Sequence, residues 1–370
     1  MWTRRRFLSC GGLAALGAAG TCFALPDENR DPGEGREAVP DGSASKGMIT
    51  PKTDEAIDRG LAFLHAHSNR EGSFGTGQYS ANVAVTSLAA MAFMASGNLP
   101  NRGPYGRIVT NTLKYVLSQE NRDLTHPGFL HNLAVASHGP MYGHGFGTLF
   151  LAEASGLVHD KALREEINQK LHLAVKLILD SQNLEGGWRY LPDGKEADLS
   201  VTICQIMALR AARNAGIAVP RSKVDKCVEY VKACQDRMEG WFRYTKQQGG
   251  GGAQGFARTA AGVCALYAAG IYKGREIDMG LDFLRRSRPT VGGFGRPDMH
   301  YYYGHYYAVQ AMWTAGGRYW SEWYPAIRDE LLSRQGLDGS WMDQICTHYA
   351  TAMACIILQM PNNYLPILQK

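Results

Sequence analysis

SQNLEGGWRYLPDGKEADLSVTICQIMALRAARNAG, residues 181–216, is the stretch from which the fold is read. It opens on the end of a helix, turns at Gly186-Gly187-Trp188, crosses a polar loop and enters a long apolar helix at Asp198. The same plan recurs along the chain. An amphipathic helix comes first in each unit: GLAFL at 60–64, TLKYV at 112–116, AVKLI at 174–178, CVEYV at 227–231, GLDFL at 280–284 and IRDEL at 327–331. A Gly-aromatic turn follows at 71–75, 185–188, 239–242, 292–295 and 338–341; the second unit departs, with Pro127-Gly128-Phe129 in a longer insertion. The third part is a helix rich in Ala and Met, expected over Ala81–Ser96, Gly143–Ser155, Leu199–Asn214, Phe256–Ala269, Gly304–Ala315 and His348–Met360. Gly97, Gly156, Gly216, Gly270 and Gly316 stand where a left-handed residue ends a helix.

The first helix of each unit has a charged face, whereas the second is apolar nearly all round and must be buried. Units of about 50 residues with two helices each are the signature of a helical repeat. No unit has the polar face of a terminal cap, so six outer and six inner helices are expected to close on themselves. The expected fold is all-α, an (α/α)6 toroid over residues 51–370. Ser181-Gln182 through Trp188, and Arg334-Gln335 through Trp341, resemble the repeat of squalene/hopene-type terpenoid cyclases and protein prenyltransferase β-subunits. The resemblance covers about residues 53–362 and implies the toroid. It does not fix a reaction.

Forty-five per cent hydrophobic and 20% charged residues are ordinary for a globular chain of 370 residues. Three of the charges behind the net +5 are Arg4, Arg5 and Arg6, and no basic run follows them, so nucleic acid is not an expected partner. Thr3 to Leu8 resembles a twin-arginine export signal, followed by an apolar Gly/Ala-rich stretch to Leu25. Residues 1–25 are therefore expected to be a signal and 26–50, polar and rich in Pro and Gly, a disordered linker. The destination is the periplasm or cell envelope, with the membrane met only through the signal or a lipid on Cys22. Six cysteines remain beyond the signal without a CxxC pair, and buried free thiols are the expectation. The sequence specifies neither cofactor nor oligomeric state.

In such a ring the inner helices run parallel, so their N-termini gather at one mouth, where six helix dipoles favour an anion or a developing negative charge. Asn82, His144, Asp198, Arg258, His305 and His348 fall at or near those starts. Capping is the competing role for Asp198 and Asn82. Hopene-type cyclases, which the repeat resembles, protonate an alkene with an aspartate of an Asp-x-Asp-Asp motif. Here Glu196-Ala197-Asp198 is all that remains, so Asp198, with Glu196 as its paired acid, is the catalytic candidate.

Gly292-Gly293-Phe294 resembles the stretch preceding the zinc-binding Asp-x-Cys of prenyltransferase β-subunits. Tyr302 and Gly304 stand in place of that Asp and Cys, and only His348 keeps a ligand's position, so protein prenylation is excluded. A separate metal site at His144, His305 and His348 remains open, against packing histidines copied by the repeat. Asn82, Arg258, Tyr302, Tyr303 and Tyr306 are the candidate ligand-binding residues, with aromatic faces suited to cations or sugars. Gln247 to Gly252 is either a lid or a connection. Three functions compete: an enzyme or binder of an isoprenoid or other lipid in the central cavity, a non-catalytic ligand- or partner-binding toroid, and a carbohydrate-active toroid that would use Asp198 with Asp343.

Overall fold

Outer helices form where apolar residues recur every three or four positions. Helix α1 (Pro51–Ala66) starts on Pro at its first position, capped by Thr50, and buries Ala56, Ile57, Gly60, Leu61 and Leu64. Inner helix α2 (Val83–Ala95) buries every residue except Ala84, as a sequence apolar but for Thr86 and Ser87 requires. The alternation continues through α3 (Gly106–Ser118), α4 (Pro140–Ser155), α5 (Lys161–Asp180), α6 (Leu199–Asn214), α7 (Arg221–Ala233), α8 (Gly255–Ala268), α9 (Arg275–Arg286), α10 (Tyr301–Ala315), α11 (Gly317–Arg334) and α12 (Thr347–Leu358). A pair of two-residue antiparallel strands, Glu120–Asn121 and Phe129–Leu130, lies in the insertion of the second unit. The computed structural model describes residues 43–121, 125–134, 139–247, 255–290 and 300–369.

Inner helices touch in the order α2, α4, α6, α8, α10, α12 and back to α2, so the ring is closed. This is the (α/α)6 toroid expected from the repeat.

Three repeated bonds hold it. Gln182 donates to the Gly186 carbonyl and to Lys223 of the next outer helix, both at 2.8 Å. Gln235 bonds Gly240 and Glu276 in the same way. Gln335 bonds Gly339 and, at 2.8 Å, the Ala56 carbonyl, joining the last unit to the first. The turn glycine is needed because of this docking: Gly186 has φ +94°, and a Cβ there would lie 2.3 Å from the Lys226 carbonyl oxygen. The third bond clasps each turn to its inner helix. Backbone N–H groups of Phe74, Trp188, Phe242 and Trp341 donate to the hydroxyls of Thr86, Thr202, Thr259 and Thr351 at 2.9–3.1 Å.

The C-terminal residues seal one end. After α12 the Asn362 amide reaches the Ala95 carbonyl, Tyr364 packs on Gly97, and a 3₁₀ turn at Pro366–Leu368 rests on α6. The Ile367 N–H donates to the buried Glu153 carboxylate at 3.2 Å. Leu365, Ile367 and Leu368 are buried. The tail thus crosses the C-terminal ends of α12, α2, α4 and α6.

Residues 1–42, which hold the expected signal and most of the expected linker, lie outside the described residues, as do 248–254 and 291–299. Within the remaining linker stretch a 3₁₀ turn forms at Ser43–Ser45, and α11 holds it through Trp320 Nε1 to the Ala44 carbonyl and Arg328 to the Met48 carbonyl. The helix-ending glycines behave as expected at Gly97, Gly216, Gly270 and Gly316, but Gly156 keeps φ −81°. Among the described residues no helix is long and apolar enough to cross a membrane. The six cysteines there are free and buried, the state expected for them.

Candidate functional site

Asp198 is fully buried and is the N-cap of α6; its Oδ1 accepts the Val201 N–H at 2.8 Å. Its position is fixed from both sides. The Asp198 N–H donates to the Trp188 carbonyl, the Leu199 N–H to the Tyr244 carbonyl, and the Tyr230 hydroxyl to the Ala197 carbonyl. Oδ2 lies 3.4 Å from Arg189, whose guanidinium stacks over Tyr190 and Tyr244. The Tyr244 hydroxyl bonds the carboxylate and also Tyr190. Burial outweighs these stabilising contacts and pushes the carboxyl up to about 6. Cap and ionisable group are therefore the same side chain.

Around Asp198 stand tyrosines from several units. The Tyr142 and Tyr303 hydroxyls both feel the Asp198 charge, and both side chains are half-buried, so they border accessible space. Tyr303 donates to the Ser200 carbonyl at 2.9 Å. Tyr349 lies near Tyr303, Asp343 and Tyr79. Asp343 is half-buried, its Oδ1 accepts the Ile345 N–H at 2.9 Å, and burial raises its carboxyl. First turns of α4, α6, α10 and α12 thus meet at one mouth, as parallel inner helices require.

Other expected site residues fall elsewhere. Glu196 is exposed, and the pairing expected for it does not act on Asp198, whose shift comes from burial. Asn82 caps α2, accepting from Ala84 and Val85 at 2.9 and 3.3 Å. Tyr302 and Tyr306 are 2% exposed, whereas Tyr303 is half-buried and presents accessible surface. Arg258 is half-buried beside His300, and its Nε has no hydrogen-bond partner among the described residues.

The three histidines do not converge, and among the described residues no three of His, Cys, Asp and Glu are placed to hold a metal ion. His144 occupies the clasp position that Thr fills in other units. Its Nδ1 accepts the Leu130 N–H and its Nε2–H donates to the Ala174 carbonyl, both at 3.1 Å, which leaves no lone pair free. Burial pulls its pKa down to about 4. His305 stands at the same place in the fifth unit, pulled by burial to about 3. The donor that the repeat pairs with it, the Phe294 N–H, lies outside the described residues. His348 accepts the Gly75 N–H at 2.9 Å, binding the last inner helix to the first turn. His144 and His348 are therefore held in packing roles by backbone partners. A polar residue in the second turn of an otherwise apolar helix, 10–17 residues after the turn residue it clasps, is the signal that finds the clasp. Tyr190, Tyr244 and Arg189 carry no such signal, because they reach Asp198 from loops.

A closed ring of six helical hairpins with a buried acid among tyrosines at one mouth defines the class: an (α/α)6 toroid with its candidate site at one end. The prenyltransferase alpha-alpha toroid domain model matches residues 147–339, a little over half of the chain, and the chain belongs to that family. Solved structures share the fold at low identity. The type II terpene cyclase MstE from Scytonema, in complex with geranylgeranyl dihydroxybenzoate, is 14% identical with a TM-score of 0.56 over 85% of this chain and 98% of that one. The GH76 alpha-mannanase BT2949 of Bacteroides thetaiotaomicron is 10% identical with a TM-score of 0.60 over 88% and 98%. A D-mannose isomerase is 13% identical with a TM-score of 0.57 over 85% and 98%. No curated protein matches the sequence.

Proposed function

We propose that the mouth binds a compact hydroxylated ligand, a sugar or short glycan, against the half-buried Tyr142 and Tyr303, and that Asp198, fully buried behind them, exchanges a proton with it through the half-buried Tyr244 hydroxyl. The observation that carries this reading is a buried carboxyl, pushed up to about 6, beside the half-buried rings of Tyr142 and Tyr303. A group titrating near neutrality suits general acid–base work, and tyrosine faces stack on sugar rings while their hydroxyls bond ligand hydroxyls. Asp343, also raised by burial, supplies a second carboxylate near Tyr349. Export, expected from the N-terminal sequence, would bring the site to extracellular glycans. The mannanase and the mannose isomerase support the reading only as uses of the same fold.

The isoprenoid reading has the terpene cyclase as its support and the acid as its difficulty. Protonating an isolated alkene needs an unusually strong acid, and burial makes Asp198 a weaker one. Calorimetric titration with maltotriose, cellotriose and mannotriose tests the proposal, with Asp198→Asn as the variant, since Asn keeps the cap. Saturable binding of one sugar, with any turnover of it lost at least about 100-fold in the variant, is expected. Failure of the wild type to bind or turn over all three would sink the sugar reading.

A further inference from the structure

Helix α10 sends three tyrosines into the ring, of which Tyr303 faces the mouth while Tyr306 and Tyr307 lie deeper. Tyr303 reaches the Ser200 carbonyl of α6 at 2.9 Å. One turn deeper, the Tyr307 hydroxyl lies 3.4 Å from Cys204 Sγ, also on α6. Beside it the Tyr306 ring meets Phe146 of α4 with centroids 6.1 Å apart. In the ring α6 is separated from α10 by α8, and α4 stands opposite α10, so these contacts run through the interior. The tyrosines brace one another, Tyr303 on Tyr307 at 4.8 Å and Tyr306 on Tyr307 at 4.9 Å, both edge to face. Cys264 Sγ donates to the Tyr307 carbonyl at 3.0 Å from the α8 side.

Exposure gives the depth at which the ring is filled. Tyr303 is half-buried, whereas Tyr306, Tyr307 and Phe146 are 2%, 1% and 4% exposed, so almost no accessible surface remains beside them. Below them the far end is sealed by the C-terminal tail through Ile367 and Glu153. We infer that Tyr306 and Tyr307, roofed by Tyr303, form a floor across the ring that sets the length of ligand the mouth accepts. A compact ligand rests above the floor; an extended isoprenoid chain has no lumen to enter. The inference rests on the mouth being the ligand site and adds the residues that limit it. It predicts that ligand length is set by one helix, since α10 alone supplies all three rings.

The test is farnesol binding, followed by tryptophan fluorescence and calorimetry, on wild type, Tyr307→Phe and the Tyr306→Ala/Tyr307→Ala double variant. No saturable binding is expected for wild type or Tyr307→Phe, because both keep the ring that blocks the lumen. The double variant is expected to bind at least about tenfold more tightly than wild type, at a lower melting temperature. Wild type alone keeps the inference falsifiable if the double variant does not fold: saturable farnesol uptake by the unmodified protein overturns it. A folded double variant that binds no better than wild type overturns it too. Sugar titration of the wild type is a separate experiment, so failure of the sugar reading and failure of the floor leave different results.

Discussion

The two ends of the ring are built for different purposes. At the far end the inner helices leave through short connections, four of them ending on a left-handed glycine, and the tail lies across α12, α2, α4 and α6 with Leu365, Ile367 and Leu368 buried. At the mouth the connections are longer and carry the Gly-aromatic turn, and they leave Tyr142, Tyr190, Tyr244, Tyr303 and Asp343 half-buried around a fully buried Asp198. One end spends its residues on closure. The other keeps an ionisable group where burial opposes its charge, an arrangement that stability alone does not favour.

Removing residues 363–370 breaks the comparison most forcefully. Three buried aliphatic side chains at about 1.5–3 kcal/mol each put the loss near 5 kcal/mol in denaturant unfolding. A loss under about 1 kcal/mol would mean that the tail covers nothing of consequence. His144→Ala comes next, because it strands the Leu130 N–H and the Ala174 carbonyl in the core. About 2–4 kcal/mol is expected, unaffected by chelators, whereas a chelator-sensitive loss would return His144 to the role of metal ligand.

Asp198→Asn should act in the opposite direction. A carboxyl raised from 3.8 to about 6 favours the folded state below pH 3.8, and that contribution is lost as pH rises through 6. The variant is thus expected to be more stable than wild type at pH 7, by up to about 3 kcal/mol before the lost Arg189 contact is counted, with the gap closing below about pH 4. His144, lowered from 6.5 to about 4, has the reverse sign: its contribution is complete above 6.5 and is lost as pH falls through 4. Equal stability of Asp198→Asn and wild type from pH 4 to 7 would leave Asp198 as a cap alone. The smallest effect belongs to Thr202→Val, about 1 kcal/mol for one clasp, and a silent change there would remove the clasp from the account.

The ring was legible because a repeat states its architecture six times. Inner helix α6 falls on the expected Leu199–Asn214, and the others differ by a few residues at their ends. Helix α10 starts at Tyr301 instead of Gly304, since His300 takes a left-handed φ of 72° and the chain can turn into the helix earlier. Asp198 was legible as a helix-start acid, but its environment was not: Arg189 and Tyr244 come from loops with no periodicity. The expected pairing with Glu196 is absent from the causes of the Asp198 shift, since Glu196 is exposed to solvent while Asp198 is buried. The histidines misled for a related reason. Repetition placed them at helix starts, a position that suits a clasp as well as a ligand, and the Leu130 and Gly75 partners are what separate the two for His144 and His348. Tyr302 and Tyr306 show the same limit, since a run of tyrosines does not reveal which ones keep an open side.

The last measurement is a crystal structure of the protein soaked with the best-bound trisaccharide. Sugar density against Tyr142 and Tyr303, with a hydroxyl within hydrogen-bond reach of Tyr244 and nothing below Tyr307, is the predicted result. Sugar bound elsewhere on the molecule, with Tyr142 and Tyr303 left to solvent, would contradict it.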